Sequence, residues 1–141
     1  MNKKFLISGL ITTVINLLLN ALAYIVILKD FYHSHPTVSE EFMKQLHRQQ
    51  LIVWAMVITS LSMGFLITTV MKWSGAKTFA SGLKYGFIFA FLFWSSINFG
   101  LYASSNHFSE ASVFVDSACS VTAMTISAAV AAWLLGRGKI N

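Results

Sequence analysis

The chain has 141 residues, room for one domain. Only 11% are charged and 56% are hydrophobic, against about 25% charged in a soluble domain, so composition excludes an ordinary water-soluble fold. The net charge of +5 sits mostly at the ends of apolar runs, where anchoring to anionic lipid headgroups accounts for it better than nucleic acid does. One cysteine, Cys119, rules out an intramolecular disulfide and a thiol-pair metal site.

Four apolar runs reach the roughly 20 residues that cross a hydrocarbon core: about 5–28, 51–71, 83–103 and 113–135. The first follows Lys3 and Lys4 like a signal peptide, but it is too long for one and lacks an Ala-x-Ala cleavage pattern, so it is expected to be retained. It carries a polar stripe of Gly9, Thr13, Asn16, Asn20 and Tyr24, spaced to share one helix face. Its asparagines need partners on neighbouring helices, because lipid offers none.

The loop 29–50 is the longest polar stretch. Thr37-Val38-Ser39-Glu40 matches a capping box and predicts a helix running through Phe42 and Leu46 into the second span. That span spaces Ser60, Gly64 and Thr68 by four, which lets backbones approach closely. Gly75 and Gly82 in the following basic link suit a tight turn. The third span repeats the four-residue spacing through Gly82, Gly86, Ala90, Trp94, Asn98 and Tyr102. The fourth holds Asp116, Ser120, Ala123, Ser127 and Ala131, with Cys119 as a small packing residue.

Lys3, Lys4, Lys72, Lys77, Lys84, Arg137 and Lys139 fall on one side of the spans, and only Lys29, Lys44 and Arg48 on the other. The positive-inside rule then places both termini in the cytoplasm. Phe31, Tyr32 and Trp54 form the outer aromatic belt, and Trp73, Tyr85 and Trp133 the inner one. The expected fold is an all-α, up-down bundle of four transmembrane helices, multi-pass in a membrane, with the short links making consecutive helices antiparallel neighbours.

A carboxylate inside a span is expensive unless it faces a bundle interior, a partner or a water-filled cavity. At 1.5 Å per residue, Asp116 lies on the order of 5 Å below the outer end of its span, Asn98 roughly 7 Å and Asn20 roughly 12 Å. A ring of Asp116, Asn98, Asn20, Tyr24 and Tyr102 is therefore expected to line an outward-facing polar cup, with Trp94 at its floor. The cup would bind or transport a small ligand, a proton or a cation. The alternative leaves Asp116 solvated near the interface and the asparagines as interhelical glue. His33, His35, His47 and His107, with Glu40, Glu41 and Glu110, are external donors of a kind that suits zinc or copper, though their spacing matches no recognised site and a solvated polar loop also explains them.

The motif Asn20-Ala21-Leu22-Ala23-Tyr24, followed by Lys29-Asp30-Phe31-Tyr32, resembles an uncharacterised bacterial family of small four-helix membrane proteins. Asn98 and Val115-Asp116 match that family's third- and fourth-span motifs, whereas Asn20 takes the place of an acid and Ser95-Ser96 that of a more polar pair. The resemblance implies the four-helix topology, a place in a bacterial inner membrane and no particular activity. No catalytic constellation and no cofactor motif is found. The expected partner is the lipid bilayer, joined by a second copy of the chain or a larger membrane complex if the role is that of an accessory subunit.

Overall fold

A computed structural model describes residues 3–39, 41–42, 50–106 and 108–137. Among these there is no strand. Helix α1 (Lys3–Ala23) passes through a π-helical stretch (Tyr24–Leu28) directly into α2 (Lys29–Ser34), so that one helical rod covers Lys3–Ser34. Helices α3 (Val53–Trp73), α4 (Phe79–Ser104) and α5 (Glu110–Gly136) follow. The α1–α2 rod, α3, α4 and α5 are each long and apolar enough to cross a membrane.

Helix ends explain most departures from the predicted boundaries. Helix α3 closes in a Schellman motif: Ala76 N–H donates to Met71 O (3.2 Å) and Gly75 N–H to Lys72 O (3.3 Å). This motif needs a left-handed residue, which Gly75 supplies at φ +70°. Helix α4 opens four residues before the predicted span on a reciprocal box. Thr78 Oγ1 accepts from Ser81 N–H at 3.1 Å, and Ser81 Oγ accepts from Thr78 N–H at 3.0 Å. Helix α5 is capped by Ser109, whose hydroxyl accepts from Ser112 N–H at 3.1 Å. The box expected at Thr37 is not formed as predicted. Val38 and Ser39, which would open that helix, are not helical, Ser39 Oγ accepts from Phe42 N–H at 3.4 Å, and Gln50–Ile52 are not helical before α3. Glu40 and Leu46 lie outside the described residues.

Helix α5 is the hub. In its most apolar window 56% of residues are buried, against 11–17% in the other three spanning helices. It packs on α1, α3 and α4, while α1 also packs on α3. Although a short link joins α3 to α4, those two helices touch only marginally, and each is seated on α5 instead. Consecutive helices are thus not all close neighbours, because the small residues that permit close approach lie elsewhere.

Gly82, expected in the turn, is inside α4. A Cβ there would stand 2.6 Å from Ala129 Cα, and one at Gly86 would stand 2.5 Å from Ala128 Cβ. Gly64 of α3 takes Thr13 of α1, where a Cβ would stand 2.6 Å from Thr13 Cα. The glycine stripes are therefore used within the chain. Ile67, Met71, Met124, Val121 and the alanines of α5 fill the core between these contacts.

Lys4 at the start of α1 donates from Nζ to the Arg137 carbonyl just past α5. That bond brings the two ends of the spanning region to one end of the bundle, where Lys72 and Lys77 also lie. The described acids, Asp30, Glu41, Glu110 and Asp116, belong to segments at or near the other end.

Candidate functional site

The polar centre of the acidic end is assembled by α2, α4 and α5. Asn98 is the next polar member of the α4 stripe that begins Gly82, Gly86, Ala90, and the spacing of four keeps it facing α5. It is 2% exposed. Its Nδ2 donates to Asp116 Oδ1 at 2.8 Å and to Ser117 Oγ at 3.1 Å. Ser120, one turn further along α5, donates to the same Asp116 oxygen at 3.4 Å. The second carboxylate oxygen, Oδ2, accepts from the hydroxyl of Tyr32.

The π-helical stretch explains Tyr32. With 3.6 residues per turn, the buried face of α1 through Asn16 and Asn20 would continue near residues 23, 27 and 31. The stretch closes an i→i+5 bond, Lys29 N–H to Tyr24 O, and so adds a residue to that turn. The inward face moves on to Leu28, which is 7% exposed, and then to Tyr32. Phe108, also 7% exposed, lies beside the phenol at 6.4 Å between ring centroids. Read as a belt aromatic, Tyr32 is the site residue that sequence reasoning misses, because side-chain periodicity assumes an unbroken α-helical phase.

Asp116 is half-buried, and among the described residues all its hydrogen-bond partners are neutral: a phenol, an amide and a hydroxyl. These donors satisfy the carboxylate oxygens and bring no positive charge to it. A hollow of about 670 Å³ at the same end of the bundle is lined by Ser34, His35, Pro36, Ser109, Glu110, Ala111 and Phe114.

The remaining expected ring members fall elsewhere. Asn20 Nδ2 donates to Asn16 O (2.8 Å) and Asn16 Oδ1 (3.2 Å), and Asn16 in turn donates to Ser127 Oγ at 3.2 Å. Ser127 lies about 16 Å along α5 from Asp116, so Asn20 belongs to a separate, deeper network. Tyr24 and Tyr102, 51% and 40% exposed, stand outside the hydrogen bonds that hold Asp116. Trp94 packs edge-on against Phe93 (5.6 Å) and onto the core, and its buried Nε1–H has no hydrogen-bond partner among the described residues.

His33 and His35 are exposed, and His35 stacks on Phe31 at 4.2 Å. His47 and His107 lie outside the described residues. Among the described residues, no three His, Cys, Asp or Glu side chains come together as a metal site would require.

Comparison with known proteins yields no match: no family model fits the chain, and no curated protein or solved structure is significantly similar to it.

Proposed function

We propose that this is a multi-pass protein of a bacterial inner membrane, both termini cytoplasmic, whose Asp116 centre binds a proton or a small cation from the outer face. The hydrogen bonds of Asp116 carry the reading. A carboxylate on a spanning helix is held by Tyr32, Asn98 and Ser120, none of which cancels its charge. Acids in spanning segments generally mark ion or proton pathways. Three side chains already bond the carboxylate, which suits an ion better than a larger solute, and the hollow bounded by Glu110 and His35 lies at the same end of the bundle. Packing of the glycine stripes within the chain favours a bundle that stands alone over an accessory subunit that needs those stripes for a partner.

The test is the thermal unfolding of detergent-purified protein in sodium, potassium or calcium chloride at constant ionic strength, and as a function of pH. Wild type should be stabilised by at least one ion or show a pH-dependent midpoint. Asp116→Asn, which keeps the side-chain shape, should still unfold cooperatively and lose that response. An unchanged response in Asp116→Asn, or none in wild type, overturns the proposal.

A further inference from the structure

The basic end of the bundle carries a second concave feature. Lys4 of α1, Lys72 in the last turn of α3 and Lys77 of the following link line one hollow of about 260 Å³. Its other walls are Phe5, Gly75, Ala76 and Leu135, so three lysines from three segments line a pocket with an apolar side.

Several features hold that arrangement in place. Lys72 Nζ lies over the Phe5 ring, 5.3 Å from its centroid, which ties the end of α3 to the start of α1. Lys4 Nζ reaches the Arg137 carbonyl. The Schellman turn sets the path of the link, and Gly136 packs so closely on the Lys77 carbonyl that a Cβ there would collide with it. At Gly75, by contrast, an added Cβ would meet nothing within 4 Å, so this wall of the hollow is open. The described acids, Asp30, Glu41, Glu110 and Asp116, belong to other segments, and none of them lines the hollow.

We infer that this hollow is a binding site for a phosphate group, with Lys4, Lys72 and Lys77 as its ligands. Converging ammonium groups act on phosphate as point charges, and basic pockets at the cytoplasmic ends of spanning helices receive anionic lipid headgroups. The apolar wall of Phe5 and Leu135 suits the glycerol and first acyl carbons of such a lipid, whereas a soluble phosphate would use the lysines alone.

The experiment compares binding of phosphatidylglycerol, phosphatidylcholine and inorganic phosphate to the full chain in mild detergent, by native mass spectrometry and thermal shift. Phosphatidylglycerol should bind and raise the midpoint, and phosphatidylcholine should do neither. Replacing both Lys72 and Lys77 with Gln should weaken binding about thirtyfold. Lys84→Gln, near the same end but outside the hollow, should weaken it less than threefold. Competition by inorganic phosphate at concentrations that leave Lys84→Gln binding intact identifies a soluble phosphate as the ligand; absence of competition identifies the lipid. The inference is overturned if Lys84→Gln weakens binding as much as the double variant does, if phosphatidylcholine binds equally well, or if neither anion binds. Should the double variant unfold, Lys77→Gln alone, which leaves the Lys72–Phe5 contact in place, decides by the same criteria.

Discussion

The two halves of α5 hold their neighbours by different means. Towards the basic end, Ala128, Ala129 and Ala132 receive Gly82 and Gly86 of α4 at backbone contact, with no room for a further carbon atom. Towards the acidic end, α5 meets α4 and α2 through hydrogen bonds of Asp116 and Ser117. Close backbone contact tolerates no displacement, whereas side-chain hydrogen bonds can lengthen or exchange partners. The difference assigns rigidity to the first region and adjustability to the second, where the proposed ion would bind.

Substitutions can sharpen that contrast. Gly82→Leu, forced against Ala129 and Ala132, should destabilise the bundle by about 3 kcal/mol, measured by detergent-titration unfolding. A cost below about 1 kcal/mol would mean the seam gives way and the contrast fails. Asn16→Ala removes the amide that links α1 to Ser127 and supports Asn20, and should cost about 1 kcal/mol with no change in ion response. Tyr32→Phe removes one hydrogen bond to Asp116 and should cost about 0.6 kcal/mol. Unlike Asn16→Ala, it should weaken the ion response. Equal effects of these two variants on that response would erase the distinction between the Asn16 network and the Asp116 centre. Gly100→Ala should stabilise the chain by about 0.5 kcal/mol, because a Cβ there meets nothing within 4 Å and helix propensity alone decides.

What could be read from the residues follows the same division. Spacing of small residues identified the faces that pack, since the four-residue repeat of Gly82, Gly86, Ala90 and Asn98 is a direct consequence of helix geometry. The direct bond between Asn98 and Asp116 is consistent with their neighbouring depths. Asn20, deeper by the same arithmetic, bonds to Asn16 of its own helix and does not join that pair, because a helix face says nothing of which partner stands opposite each turn. Tyr32 was hidden by the π-helical stretch, for which Tyr24-Ile25-Val26-Ile27-Leu28 gives no compositional signal. The Thr78–Ser81 box escaped notice because Ser81 stands where Glu or Gln is usual, while the better-looking match at Thr37 is not realised. Which helices adjoin was also beyond reach: link length suggested α3 beside α4, but the alanine-rich face of α5 draws each of them to itself.

The central claim is that Asp116 is an ion-binding carboxylate and not merely an acceptor joining helices. It is tested most directly by comparing the ion- and pH-dependence of the unfolding midpoint in wild type and Asp116→Asn. The account predicts a dependence in wild type that vanishes in the variant while cooperative unfolding persists. Matching curves for the two proteins, or a wild type indifferent to every ion and to pH, would contradict it.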